Sequence, residues 1–317
     1  MSASSPLVTI GMPVYNGERY IREALDSVLA QPYQNLEVIV ADDASVDATA
    51  PVCEDYARRD GRIRVHRHSR NIGMSANFDW VLAQARGTYF TYLAQDDGLE
   101  PAFLPRAVDY LDTHPEVVLC GCAMKLIDAR GAPLGDLPLD VLSPAIAWRA
   151  ARPRFFAYET TPQIVFALYG LYRRAAVSGL SFGRRTHRGR AVMHDHERPW
   201  LARVACRGRV VALPETLRRY RWYGASSFQR ELASLSPWEV VYLAHGMRLK
   251  LLGLALGARL PVRERLGVVG ASARSVLGWM LADVAGLLVS VERRTMPPWA
   301  IAVRRRLIRL PRRGTLG

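Results

Sequence analysis

Strand-like and helix-like segments alternate along the first third of the chain, and this alternation constrains the fold more than any other feature. Leu7–Met12 is a short apolar run closed by Pro13. Glu18–Gln31 carries Tyr20, Ala24 and Val28 at helical spacing, with Ile21, Leu25 and Leu29 beside them. Leu36–Ala41 is strand-like and ends in Asp42-Asp43, and Ser45 or Asp47 can cap a helix over Ala48–Arg59. Arg62–His66 reads as a strand, Ser75–Ala85 as a helix, Thr88–Leu93 as a strand, and Pro101 opens a helix running to Thr113. Such a series predicts an α/β fold, a mostly parallel sheet with helices on both faces. Ligands of these sheets sit at the carboxyl ends of the strands. The polar clusters fall there: Pro13-Tyr15-Asn16, Asp42-Asp43, Arg70-Asn71 and Gln95-Asp96-Asp97.

Beyond Gly131 the pattern loosens. Gly131–Pro144 is rich in Pro, Gly and Asp and predicts a loop; Ser181–Gly189 predicts a second, basic loop. A helix is expected over Asp195–Arg207 and a strand over Val210–Leu213. From Pro237 the chain reads as helical and apolar, broken near Pro261 and Pro297-Pro298. A domain covering residues 1–228 is therefore expected, divided near residue 115, with a helical basic extension over 229–317.

The net charge is +14, carried almost wholly by arginine, since the lysines are Lys125 and Lys250. A basic balance fits nucleic acid, an anionic membrane or an anionic substrate. No helix-turn-helix, zinc-finger or RNP pattern accompanies it, so nucleic acid is not expected. No G-x-G-x-x-G follows the first strand, which argues against a dehydrogenase. The four cysteines, Cys53, Cys120, Cys122 and Cys206, are too few and too irregular for a disulfide framework, and a reducing cytoplasm is expected. Met1–Pro6 does not read as a signal peptide. The longest apolar run, Val276–Val291, contains Asp283 and is shorter than a spanning helix needs.

Asp96-Asp97 is the strongest local signal. Adjacent carboxylates repel unless a cation sits beside them, and carboxylate plus diphosphate oxygens are usual ligands of Mg²⁺ or Mn²⁺. An exposed loop with a helix-capping Asp fits the same two residues. Asp42-Asp43 can accept from a base N–H or a ribose hydroxyl, or cap the following helix.

The chain resembles family 2 glycosyltransferases through IGMPVYNGERYIREALDSVLAQ, LEVIVADDASVDAT, RNIGMSANFDWVLAQARGTYFTYLAQDD and HDHERPWLARVACRGRVVALPETLRRYR, in that order, over about Leu7–Ser227. The resemblance implies the GT-A fold, a Rossmann-like sheet, and inverting transfer of a sugar from a nucleotide-diphosphate donor to a hydroxyl. It places Pro13, Tyr15 and Asn16 at the nucleotide, Asp42 or Asp43 at base or ribose, and Arg70, Asn71 and Gly73 near them. Gln95 and Asp96 join the donor site, and Asp96 and Asp97 the Mn²⁺ or Mg²⁺ site. Asp195 matches the catalytic base, and Tyr220 and Arg221 the segment closing over the diphosphate. The sequence departs from the family pattern at Ala94, where relatives carry another acid, at His194 before the base, and at Tyr223, where histidine is common.

By the same resemblance the donor is a UDP- or dTDP-sugar. The acceptor is a hydroxyl-bearing glycan, glycolipid or small molecule, and the basic tail alone favours polysaccharide or glycolipid synthesis. The tail adds eight arginines from Arg293 to Arg313, with Trp299, Val303, Leu307 and Leu310 on one helical face. A helix of that kind fits the anionic inner face of the cell membrane, and packing on its own domain or a second subunit is the competing expectation. The alternative to an active transferase is a catalytically silent nucleotide-sugar-binding or scaffolding protein of the same fold.

Overall fold

The computed structural model describes residues 5–157, 162–183, 186–187, 190–191, 197–223 and 237–295. Its first half is built from β1 (Val8–Val14), α1 (Ile21–Leu29), β2 (Leu36–Asp42), α2 (Thr49–Arg59), β3 (Ile63–Arg67), α3 (Met74–Gln84), β4 (Tyr89–Tyr92), β5 (Gly98–Leu99) and α4 (Phe103–Thr113). Then follow β6 (Val117–Ile127), β7 (Pro133–Leu137), α5 (Trp148–Ala151), β8 (Leu171–Arg173), α6 (Arg174–Val177), the two-residue strands β9 (Thr186–His187) and β10 (Arg190–Ala191), α7 (Glu197–Ala205) and β11 (Arg209–Arg221). Two helices complete it, α8 (Pro237–Leu256) and α9 (Val262–Thr295).

Nine strands form one mixed sheet in the order β3-β2-β1-β4-β8-β6-β11-β5, with β7 added to β6. The β3-β2-β1-β4 half is parallel, as the alternating sequence predicts. β8 then enters antiparallel between β4 and β6, and β11 runs parallel to β6. The segment expected as a loop over Gly131–Pro144 contains β7 and a 3₁₀ turn at Asp140–Leu142. Its strand pairs with the end of β6 while its side chains stay largely exposed, so no apolar alternation marks it. Likewise β11 extends eight residues past the expected Val210–Leu213, through register shifts around Pro214.

Strand alternation divides the core between the two faces of the sheet. Val8, Ile10, Met12 and Val14 join Ile21, Leu25 and Val28 of α1 and Phe103 and Leu111 of α4 on one face. Phe90 and Tyr92 pack on the other with Val81 of α3, Trp200 and Leu201 of α7, Met247 and Leu251 of α8 and Val268 of α9. Cys120 and Cys122 are buried thiols of β6, and burial pushes both upward, Cys122 to about 11.

Gly87 marks where the chain enters β4. A Cβ there would lie 2.6 Å from the Tyr89 carbonyl oxygen, 2.7 Å from that of Leu7 and 2.7 Å from the Thr9 nitrogen. All three are backbone atoms in β1 and β4 or, for Leu7, directly before β1, and cannot rotate away. Gly87→Ala is expected to cost about 1–3 kcal/mol in urea unfolding. An unchanged midpoint would mean that the β1–β4 pairing has slack the structure does not show.

Candidate functional site

Register brings the polar strand ends together. Val14 pairs with Asp42 across β1 and β2, and Gly11 pairs with Tyr92 across β1 and β4. Tyr15, Asp43 and Gln95 therefore leave the sheet along one edge. The Gln95 amide fixes this edge twice: its Oε1 accepts from the Tyr15 N–H at 2.7 Å, and its Nε2 donates to the Tyr15 carbonyl at 3.0 Å. Asn16 sits in the left-handed region at φ 49°, and its N–H donates to Ser45 Oγ at 2.8 Å. Its side chain accepts from the Val46 N–H at 3.0 Å. Tyr15 is exposed and Pro13 half-buried.

Asp42 and Asp43 are both buried. Asp43 accepts from the N–H groups of Ile72 at 2.6 Å and Gly73 at 3.0 Å, which ties the loop after β3 to the end of β2. Gly73 has φ 89° there, in the region glycine tolerates, and precedes α3. Asn71 Oδ1 also accepts from the Gly73 N–H, while Arg70 is exposed. Asp42 Oδ1 accepts from the Ser45 N–H at 3.1 Å. Its Oδ2 lies 3.3 Å from Arg67 Nε, yet no N–H is directed at it, so it is a charge contact without a hydrogen bond. The helix after Asp43 is met by Asp47, whose Oδ1 accepts from the Thr49 N–H at 3.0 Å.

Asp96 and Asp97 sit in the turn between β4 and β5. Asp97 is buried and accepts from the Arg221 N–H at 3.0 Å. Burial pushes its carboxyl well above the usual carboxylate range, and the neighbouring Asp96 charge adds to this; Arg218 and Arg221 oppose it. Asp96 is half-buried, and its Oδ2 accepts from the Tyr223 hydroxyl at 2.7 Å. Burial, then Asp96, pushes that phenol upward.

Arg221 is turned into the protein. Its guanidinium donates to the Asp96 carbonyl at 3.0 Å, the Asp128 carbonyl at 3.0 Å and Glu23 Oε2 at 2.5 Å, and lies 4.2 Å from the Tyr20 ring centre. It thus joins α1, the acidic turn and the end of β6. Tyr220 packs against Phe166 and Tyr169, its phenol pushed up by burial, then by Asp97, Asp96 and Glu197. A cavity of about 220 Å³ beside Asp97 is lined by Glu23, Ile127, Arg219 and Arg221. It is smaller than the roughly 300–1,000 Å³ of ligand pockets.

Asp195 lies outside the described residues, as do Trp299, Val303, Leu307 and Leu310 of the tail. Three residues near the acidic turn were not singled out from sequence: Tyr169, Glu197 and Arg218. Glu197 opens α7 and is close enough to raise the phenols of both Tyr169 and Tyr220. Its signal was its place two residues after Asp195. Arg218 is buried, donating to Thr91 Oγ1 at 3.2 Å and the Tyr92 carbonyl at 2.7 Å, with Phe103 and Tyr169 rings against it. Nothing in an arginine-rich sequence distinguishes it.

Asp96 and Asp97 fit a hard divalent cation. Both offer carboxylate oxygens, and a cation beside them would relieve what pushes Asp97 upward. Among the described residues no group of three or more His, Cys, Asp or Glu side chains converges as a metal cage. Two carboxylates suffice where phosphate and water complete the shell, as is common for Mg²⁺. Among the described residues no helix is long and apolar enough to cross a membrane.

Comparison with known proteins supplies the family. A protein of Mycobacterium tuberculosis named only as uncharacterized is 33% identical over 288 residues, covering 85% of this chain and 72% of that one. The uncharacterized glycosyltransferase EpsJ of Bacillus subtilis is 36% identical over 126 residues, 39% of this chain and 36% of that protein. Among solved structures, residues 1–349 of S. aureus TarS in complex with UDP-GlcNAc align with a TM-score of 0.65 at 18% identity, over 86% of this chain and 73% of that chain. The mannosyltransferase PcManGT of Pyrobaculum calidifontis, with GDP-Man and Mn²⁺, aligns at 0.61 and 18% identity, over 98% and 82%. At that identity the two structures show the fold, which is GT-A. The family model for glycosyl transferase family 2 matches residues 9–170, which include the Tyr15, Asp42-Asp43 and Asp96-Asp97 edge but not Asp195, Tyr220 or Arg221. The chain belongs to glycosyl transferase family 2 and is a glycosyltransferase.

Proposed function

We propose that the enzyme transfers a sugar from a UDP- or dTDP-sugar to a hydroxyl of a glycan or glycolipid, with inversion at the anomeric carbon. The observation that carries this reading is the acidic turn: Asp96 and Asp97 held between Tyr223 and Arg221, beside the Tyr15–Gln95 edge. The nucleotide rests along that edge, with Pro13, Tyr15 and Asn16 at the base and Asp42 or Asp43 at base or ribose. Arg70, Asn71 and Gly73 border it. The aligned TarS structure contains UDP-GlcNAc and the PcManGT structure GDP-Man with Mn²⁺, which supports a nucleotide-sugar donor and a divalent metal here.

Asp96 and Asp97 would hold Mn²⁺ or Mg²⁺. When bound, the metal supplies positive charge against the charge developing on the leaving diphosphate. Asp195 takes the proton from the acceptor hydroxyl as that oxygen attacks the anomeric carbon. The bond from that carbon to the diphosphate oxygen breaks, and its electron pair leaves with the diphosphate. Tyr220 and Arg221 hold the donor side of the cleft closed, Arg221 by fixing the acidic turn rather than by reaching the diphosphate. A polysaccharide or glycolipid acceptor is supported by the arginine-rich tail.

The test is thermal stability against a panel of nucleoside diphosphates and nucleotide sugars, with and without Mn²⁺. Ligand at 100 times Kd should add about 2.7 kcal/mol. The expected result is a shift with uridine or thymidine diphosphates that needs Mn²⁺ and disappears in Asp96→Ala. No shift with any nucleotide overturns the donor site. A shift indifferent to metal overturns the role of Asp96 and Asp97.

A further inference from the structure

Helix α9 leaves large apolar side chains exposed on the side turned away from the core. The buried side of α9 carries Val268, Ala271, Ser272 and Ser275. At 3.6 residues per turn the opposite side places Val262, Leu266, Ala273 and Leu277 in one exposed stripe, with half-buried Val269 at its edge packed on the core. Val262 is 63% exposed, Leu266 66% and Leu277 57%. Exposed arginines border the stripe, Arg265 along one side and Arg263 and Arg274 along the other. On α8 the exposed positions include Leu249, Gly253 and Leu256, one further apolar row.

Charge selects what covers this surface. From residue 246 to 278 the chain has one acid, Glu264, and Glu264 pairs with Arg152. From Pro237 to the end there are fourteen Lys or Arg against four Asp or Glu, so +10 of the net +14 belongs to this quarter. Two copies packed stripe to stripe would bring like-charged arginine borders together, which disfavours self-association. A bilayer with anionic headgroups meets both demands: the stripe enters the headgroup–acyl boundary, and the flanking guanidiniums reach the lipid phosphates.

We infer that α9, with the adjoining end of α8, is a docking surface for an anionic membrane, so that the enzyme works at a lipid surface. This places membrane contact on residues 249–277, inward of the arginine-rich tail. It rests on these helices alone and is independent of the donor-site reading.

The test is flotation of the full chain with phosphatidylglycerol vesicles and with phosphatidylcholine vesicles at moderate salt, comparing the natural protein with Leu266→Glu/Leu277→Glu. Both leucines are exposed, so the variant should keep its melting temperature and its nucleotide-induced shift. The natural chain is expected to float with the anionic vesicles and not the neutral ones, and the variant to partition at least about tenfold less. Failure of the natural chain to float overturns the inference. Equal flotation on both lipids overturns the anionic partner, and a variant that floats like the natural chain moves the contact elsewhere. If light scattering shows a dimer that the variant splits, the surface belongs to a second copy and the inference falls.

Discussion

Asp195→Asn is expected to lower turnover by about 10²–10⁴-fold while donor affinity stays within about twofold. Asparagine keeps the size of the side chain but cannot take the acceptor proton. On the proposed reading the donor is held along the Tyr15–Gln95 edge and the acidic turn, so its binding should persist. Helix α7 begins two residues after Asp195 and is firmly anchored: Trp200 is fully buried and stacks on Phe182 at 5.1 Å between ring centres. Steady-state turnover and equilibrium donor binding, measured on the same preparation, separate the possibilities. Loss of both would make Asp195 a donor-site residue. Unchanged turnover would remove it as the base, and Glu197, on the same helix start and electrostatically close to Tyr169 and Tyr220, becomes the next carboxylate to replace. Intact donor binding without turnover in the natural protein, across a broad acceptor panel, would favour the silent binder.

Arg218→Met is expected to destabilise the fold by about 3 kcal/mol in urea unfolding. Methionine fills much of the volume but leaves the Tyr92 carbonyl and Thr91 hydroxyl without their charged donor. It also removes a buried cation that acts against the upward push on Asp97. Burial lowers the Arg218 pKa, the mark of a cation that is costly to hold in the core. Arg218→Lys keeps the charge but not the two-nitrogen reach and should fall between. A methionine variant as stable as the natural protein would show that this desolvation cost had cancelled the hydrogen bonds.

Much of the first half was legible in the sequence. Helix α1 buries Ile21, Ala24, Leu25 and Val28 at the spacing the sequence displays. β1 and β2, buried on both faces of a parallel sheet, are nearly continuous apolar runs. The second half was less so, because its strands do not carry their own hydropathic pattern. β11 continues past an irregularity at Pro214 and Glu215 into Thr216, Arg218 and Arg219, polar residues that become strand by pairing with β6 and, for the two arginines, with β5. β7 is an exposed edge recruited by β6, and three-residue β8 is too short to show a period.

Apolar period and the residues at the strand ends are local properties, so the sequence by itself determined the α/β architecture of the first half and the edge on which Tyr15, Asp42-Asp43 and Asp96-Asp97 gather. The partners of those charges are not local. Tyr223 reaches Asp96 across 127 positions and Arg221 reaches Glu23 across 198. Those pairings depend on β11 lying between β6 and β5, a strand order that no single segment encodes. Only the tertiary structure decided that Arg221 braces the acidic turn, that Arg218 is a buried cation, and that Val262, Leu266 and Leu277 of α9 stay exposed, because each depends on which distant surfaces pack together.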